Sequence, residues 1–281
     1  MAGPGDLRYA CQTYSWQLSL DVYAGRIEHM VRAAAAAGFT GFEPELVMLG
    51  SRWSVGELRD ALAAAGLELA ALVLAESWLD TDETEKERAD ADRVIEAAAA
   101  LPGAKVVLCA LPGPDRSTLD PRDVEARQIR VMARMQAVTA RAGEAGVGCT
   151  FHPNSAAGSL FRTQADYSRM ADLLPASIGY TPDVGHLARG GLDPLAVLRD
   201  WGDRVDHVHI KDLADDGSWA ESGTGMINIP ALLQHLADRG YRGWVTFEDE
   251  SAAAEQDPDA AAARNGRYVA SLRRDDASSA R

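Results

Sequence analysis

The chain has 281 residues, 47% hydrophobic and 25% charged, with a formal net charge of -14 and an isoelectric point near 4.8. That balance describes a soluble globular domain with a sizeable core, and it excludes the basic face that nucleic-acid binding requires. No stretch approaches the roughly 20 apolar residues that span a bilayer, and no basic segment followed by an apolar core opens the chain, so a cytoplasmic protein is expected. Cys11, Cys109 and Cys149 each fall in a predicted strand and read as buried thiols rather than as a disulfide framework or a zinc cluster. Neither a linker nor a composition break separates Arg8 from Leu272, which predicts a single domain over 1–281. About 6–274 should be ordered, with the small, polar ends 1–5 and 275–281 loose.

In chain order, short β-rich runs alternate with alanine-rich segments of helical period. A strand over 8–15 precedes a helix over 21–37; a strand over 41–46 precedes one over 54–65; a strand over 68–74 precedes one over 83–101. The pattern continues with a strand over 105–110 and a helix over 120–145, then 147–152 with 163–174, and 177–183 with 193–201. It closes with 205–211 and 229–239, then 243–248 and 256–273. Gly38, Gly66, Gly146 and Gly240 follow helical runs directly before strands, as C-terminal caps do. Eight βα units in a chain of this length predict an α/β fold, a (β/α)8 TIM barrel. An open doubly wound sheet ranks second, because Tyr14, Ser15 and Trp16 stand where its glycine-rich fingerprint belongs.

In such a barrel the C-terminal ends of the strands build the active site. The first half offers Tyr14 and Trp16, then Glu43 and Glu45, then Glu76 and Trp78, then Cys109. The second half is richer, with His152 and Asn154, Asp183 and His186, the pair His207 and His209 with Lys211, and finally Glu248, Asp249 and Glu250. His152, Asp183, His209 and Glu248 fall about one βα unit apart, so the four would converge at the barrel mouth as two nitrogen and two carboxylate ligands. A lone histidine or carboxylate at a strand end is usually a hydrogen-bonded core group or a helix cap, but four at equivalent positions would be costly to bury without a cation. The mixed set suits Mn, Co, Fe, Ni or Zn, and suits Mg less well.

Strand alternation turns both His207 and His209 inward. His209 is nearer the mouth and better placed as a ligand; His207 reads as a supporting, substrate-facing or core group. His186 follows Asp183 by three residues and would either touch substrate or orient Asp183. Lys211 is one of three lysines in a chain that otherwise uses arginine, and its position suits either a substrate role or a salt bridge to Asp212 or a neighbouring carboxylate. Glu43 would hold a substrate hydroxyl or cap the next segment, and Asn154 is a further candidate for substrate contact. Trp16, Trp53, Trp78 and Trp219 all follow strands, where they would stack on a sugar ring or pack over the rim. The Gly223-Thr224-Gly225 segment is too short for a phosphate loop and reads as a flexible mouth loop.

At these residues the chain resembles the xylose-isomerase-like superfamily of TIM barrels, which includes sugar phosphate isomerases, ketose 3-epimerases, hydroxypyruvate isomerases and inosose dehydratases. The resemblance spans nearly the whole chain. It rests on the segments 37–43, 183–186, 206–212, 223–225 and 241–248, in order and at their spacing. It implies Asp183, His209 and Glu248 as metal ligands, with His186 contacting substrate oxygens. One position departs: epimerases of this superfamily usually carry a glutamate at the end of strand five, and this chain has His152 there. A 3-epimerase needs two proton carriers, and only Glu248 remains as an obvious carboxylate base. A His-rich strand five is similar to inosose dehydratases.

The resulting expectation is a metal-dependent isomerase or epimerase of a small sugar or related polyhydroxy carbonyl compound, with Glu248, His186 and Lys211 as catalytic residues. A dehydratase of a keto-sugar or ketocyclitol is the alternative, and a non-catalytic sugar-binding barrel is the third reading. An abasic-site endonuclease on the same fold fails on charge and on ligand number. A small carbohydrate is the expected partner, without nucleic acid or membrane; a homodimer or homotetramer stays open.

Overall fold

The structure, a computed structural model, describes residues 3–80 and 82–279. Among these residues eight parallel strands form the barrel: β1 (Arg8–Gln12), β2 (Gly41–Glu43), β3 (Ala71–Glu76), β4 (Lys105–Ala110), β5 (Cys149–Phe151), β6 (Ile178–Tyr180), β7 (Val208–Ile210) and β8 (Trp244–Phe247). The crossover helices are α1 (Ile27–Ala36), α2 (Val55–Ala65), α3 (Glu85–Ala100), α4 (Pro121–Glu144), α5 (Gln164–Leu173), α6 (Pro194–Trp201), α7 (Ile229–Asp238) and α8 (Pro258–Ser279). Two sheets carry the strands: β7, β8, β1 and β2 in one, extended by the two-residue strand Glu68–Leu69, and β3 to β6 in the other.

Two seams close these sheets into a barrel. Between β2 and β3, Glu45 bridges Val73, whose N–H donates to the Pro44 carbonyl at 3.0 Å. Between β6 and β7, Tyr180 bridges Val205 and Asp183 bridges His209, with the His209 N–H on the Pro182 carbonyl at 2.9 Å. The second seam therefore runs through two of the proposed metal ligands.

Strand residues alternate between two environments, as burial on both faces demands. Leu72, Leu74, Val106, Leu108, Val208, Ile210, Val245 and Phe247 join the large apolar layer under the helices. Ala71, Val73 and Val107 form a separate small cluster with Cys109. Ala10 of β1 and Trp244 of β8 form another with Ala70, and the remaining buried set is polar: Glu43, Thr150, Thr181, His207, His209 and Thr246. Thr150 and Thr181 hydrogen-bond each other at 2.8 Å.

The four predicted cap glycines all adopt left-handed φ values, from 68° to 91°. Ser54, Thr84 and Thr163 start α2, α3 and α5 with capping boxes. Several predicted boundaries shift. The helix predicted over 21–37 is two, Leu20–Tyr23 and α1, interrupted at Gly25 (φ 81°). The one predicted over 256–273 is a short Ala252–Gln256 turn followed by α8. At the N-terminal end Pro4–Asp6 form a 3-10 turn, Pro4 is buried, and its carbonyl accepts the Tyr9 hydroxyl at 2.7 Å. Met1, Ala2, Ala280 and Arg281 lie outside the described residues. Cys11 and Cys149 are buried free thiols and Cys109 is half-buried. No helix among the described residues is long and apolar enough to cross a membrane.

Candidate metal centre and cavity

His209 lies within β7, and the other three ligand candidates are placed by backbone pairing that carries the barrel ladder past the ends of its strands. The His152 N–H donates to the Leu108 carbonyl at 2.9 Å and the Glu248 N–H to the Ile210 carbonyl at 3.0 Å. Asp183, three residues beyond β6, caps a short helix, Val184–Arg189, by accepting the His186 N–H at 2.8 Å. A Cβ at Gly185 would lie 2.9 Å from the Lys211 backbone, so glycine lets this helix pack against β7.

One potential ligand atom from each of His152, Asp183, His209 and Glu248 lies within 4.8 Å of every other, and all four residues are buried. His152 Nε2 and Asp183 Oδ2 stand 3.6 Å apart, and neither has a hydrogen-bond partner among the described residues. Buried polar atoms left in this condition are expensive. Two nitrogens, two carboxylates and this unsatisfied pair fit a divalent cation.

A second cluster beneath the first is a hydrogen-bonded support. Glu43 accepts from His207 Nε2 at 2.5 Å, from His209 Nε2 at 2.6 Å and from Thr246 Oγ1 at 2.9 Å. Burial opposes ionisation of Glu43, but His209 and His207 outweigh it and hold the carboxyl well below its usual range. With Nε2 fixed on Glu43, His209 turns Nδ1 toward Glu248 Oε2, 3.2 Å away. Orienting a ligand imidazole through its other nitrogen is what such carboxylates do.

Lys211 is fully buried, and it does not meet Asp212. Its ammonium lies 2.8 Å from Glu248 Oε1 and in contact with Glu250, with Asp183 Oδ2 at 3.6 Å and His186 Nε2 at 3.3 Å. Burial would lower its pKa, but Glu248, Glu250 and Asp183 hold it well above the usual value. The same ammonium, after burial itself, pushes His186 down to about 3, so that imidazole is neutral, with Nδ1 on the Ser155 hydroxyl at 2.8 Å.

A cavity of about 190 Å³ opens above this floor. His152, His209 and Glu248 line it together with His186, Asn154, Tyr14, Trp219, Glu45 and Glu250. Of the residues predicted to meet substrate, His186 and Asn154 therefore reach the cavity, while four do not. Glu43 and His207 are sealed below it by their mutual hydrogen bond. Trp16 is buried with its indole N–H on Asp259 at 2.7 Å, and Trp78 is buried with its backbone N–H on Glu87 at 2.8 Å. Lys211 lies behind the wall as well. Trp219 is the tryptophan that reaches the cavity, held between Arg189 (4.7 Å) and Lys211 (4.9 Å).

Glu76 is drawn off to Lys86 at 2.7 Å, and Asp249 accepts the Ser251 N–H at 2.8 Å. The 223–225 segment is tied down: Asp212 accepts the N–H groups of Gly223 and Gly225, both at 2.9 Å. Sequence reasoning missed Gln12, Gln17 and Arg189, which also line the cavity. Arg189 sits one helical turn after His186, and the six-residue helix that brings it there is too short to leave a periodic signal.

Residues 31–272 match the family described as Xylose isomerase-like TIM barrel, and the chain belongs to it. It is 32% identical over 139 residues to the rhizopine catabolism protein MocC of Rhizobium meliloti, covering 43% of this chain and 41% of that one. It is 27% identical over 194 residues to an inosose dehydratase of Lacticaseibacillus casei, covering 59% and 64%. The chain thus matches less than two thirds of the length of either curated relative. Among solved structures it is similar to the 3-keto-D-glucoside 4-epimerase YcjR of E. coli, with a TM-score of 0.72 at 23% identity, covering 95% of this chain and 99% of that one.

Proposed function

We propose that the protein is a divalent-metal-dependent enzyme that moves a proton next to the carbonyl of a small sugar or related polyhydroxy compound, acting as an isomerase or epimerase. The observation that carries this reading is the convergence of His152, Asp183, His209 and Glu248 on one wall of the cavity, with His152 Nε2 and Asp183 Oδ2 unsatisfied. These residues would hold Mn, Co, Fe, Ni or Zn, and suit Mg less. Bound there, the cation would supply Lewis acidity toward a substrate carbonyl and so acidify the adjacent C–H.

Glu248 is the residue to accept that proton. Burial opposes its charge, but Lys211 and His209 bring it down to about 2, so it enters the reaction ionised. Neutral His186, tethered to Ser155, stands at the cavity edge for a substrate oxygen. Lys211 acts from behind the wall, its fixed charge offsetting negative charge that develops on the substrate. The cavity, at about 190 Å³, is smaller than the roughly 300 Å³ at which drug-sized pockets begin, and so suits a single small ring or short open chain.

A second reading, dehydration of a keto-sugar or ketocyclitol, is supported by His152 at the position where a second carboxylate would serve an epimerase. The 27% identity to an inosose dehydratase points the same way. Metal analysis of the purified protein and incubation with ketoses and ketocyclitols in deuterated water test the proposal. Stoichiometric metal, deuterium at the carbon next to the carbonyl, and loss of both turnover and metal in Asp183→Asn are expected. Deuterium with unchanged composition assigns an isomerase or epimerase, and loss of water assigns a dehydratase. Metal-free protein whose behaviour Asp183→Asn leaves unaltered would sink the enzyme in favour of a sugar-binding barrel.

A further inference from the structure

Epimerisation, which takes a proton from one face of a carbon and returns one to the other, and dehydration, which protonates a departing hydroxyl, both call for a second proton carrier, and the groups assigned so far supply only the taker. His152 cannot deliver it while its lone pair serves a cation. We propose that Glu45 is the second proton carrier, a catalytic acid that completes the reaction Glu248 begins. The proposal rests on the function proposed above.

Placement comes first. Glu45 follows Glu43 with one residue, Pro44, between them, so both point inward by strand alternation, Glu43 into the sealed floor and Glu45 one level higher into the cavity. Its backbone is fixed in the β2–β3 seam, by the bridge to Val73, by its N–H on Thr13 Oγ1 at 3.0 Å, and by the Met48 N–H on its carbonyl at 2.9 Å. Glu45 is therefore held rigidly on the cavity that Glu248 also lines.

Pairing comes second. Glu43 is matched to two histidines, Glu248 to Lys211 and His209, Glu250 to Lys211, and Asp183 to Lys211. Glu45 is buried and, among the described residues, takes part in no ion pair; Gln17 is its hydrogen-bonding neighbour. A buried carboxyl without a cation is most cheaply held neutral, with its proton available. The charged groups facing it are Glu248 and Glu250, which disfavour its charge, and Lys211, which favours it. Burial leads these effects, and its pKa is pushed up to about 7. The other protons at hand are worse suited: burial and Glu45 push the Cys109 thiol up to about 12, and burial followed by Glu250 and Glu248 pushes the Tyr14 phenol above its usual value.

The step balances without a further reactant. Glu248 takes the proton next to the carbonyl, and the C–H electron pair becomes the double bond of an enediolate. In epimerisation Glu45 gives its proton to the opposite face of the same carbon, the electron pair of the double bond forming the new C–H bond as the carbonyl re-forms. In dehydration the same proton goes to the departing hydroxyl, whose C–O pair leaves with the oxygen as water. Afterwards Glu45 is a carboxylate and Glu248 an acid, and exchange with solvent restores both.

The test is Glu45→Gln, which keeps shape and hydrogen bonding but has no proton to transfer. In the metal-loaded enzyme, turnover to product should fall by a factor of about 10²–10⁴, while Glu248 goes on exchanging the substrate proton for deuterium at close to the wild-type rate. The limb of the kcat profile near pH 7 should disappear, and Glu45→Asp should restore part of the turnover. Turnover within about threefold of wild type, or deuterium exchange lost in step with turnover, overturns the role of Glu45. Wild-type enzyme that exchanges no deuterium with any candidate substrate overturns the function beneath it, a result separable from the other two.

Discussion

The side chain on which most of the site depends is Glu43, although it touches no part of the cavity. Its two oxygens take three donors, from His207, His209 and Thr246, in a fully buried position. Glu43→Ala should cost about 3–5 kcal/mol, because removing one partner of a buried charge network strands the others. Glu43→Gln keeps the shape but offers one acceptor oxygen where two are used, and should release the His209 ring from its orientation. Metal affinity should then fall roughly 10–100-fold, read by calorimetric titration with a divalent ion; an affinity equal to wild type would show that His209 needs no such support. The histidine pair was legible in the sequence as inward-facing, and its inequality followed from the register of His209 with the other strand ends. The partner that separates the two was not, because Glu43 lies 164 residues from His207, and only closure of the barrel brings them together.

At the scale of elements, the cavity walls are loops held by a few buried ion pairs. Asp166, near the start of α5, takes Arg116 Nη1 and Nη2 at 2.5 and 2.9 Å, Gln128 of α4 at 3.1 Å, and the Thr163 N–H and hydroxyl at 2.9 and 2.7 Å. It thus ties the loop after β4, which carries Leu111 and Pro112, to the loop after β5, which carries Asn154 and Ala156; all four line the cavity. Burial opposes the charge of Asp166, but Arg116 and Thr163 outweigh it and lower the pKa. A depressed carboxyl stabilises the fold above its unfolded pKa of about 3.9, and the gain is lost as pH falls through the folded value. Asp166→Asn should therefore cost about 1–3 kcal/mol at pH 7, and thermal unfolding of variant and wild type should converge below about pH 4. A gap that persists undiminished in acid would assign the loss to packing.

Element identity was readable because alternating β-rich and helical periods with glycine caps each report on a single local unit. Boundaries were less so. The strand predicted over 177–183 stops at Tyr180, since Asp183 spends its side chain capping a helix. The strand predicted over 8–15 stops at Gln12 for a related reason, as Tyr14–Gln17 coil into a helical turn. In both places the chain leaves the ladder to build the mouth, so local pattern fails where the functional site begins.

For the whole molecule, the decisive geometry is that the proposed ligands come from β5 to β8 and straddle a barrel seam. Asp183 and His209 are themselves bridge partners there, and among the described residues no longer run of pairing joins β6 to β7. A cation held by both would tie the two sheets together at that point, and would favour the native state by mass action, about 2.7 kcal/mol at a free concentration 100 times Kd. Adding Mn or Co should raise the melting temperature and a chelator should reverse it. Where the protection appears is the sharper measurement. The Asp206 and His209 amides donate across this seam to Tyr180 and Pro182 at 3.0 and 2.9 Å, while Val73 donates to Pro44 across the β2–β3 seam at 3.0 Å. Hydrogen exchange at Asp206 and His209 should slow on metal loading by a larger factor than at Val73, because local opening of the β6–β7 seam requires breaking the metal site and opening of the other does not. Equal slowing at both seams would mean that the barrel opens only as a unit, and slowing at Val73 alone would place the cation elsewhere.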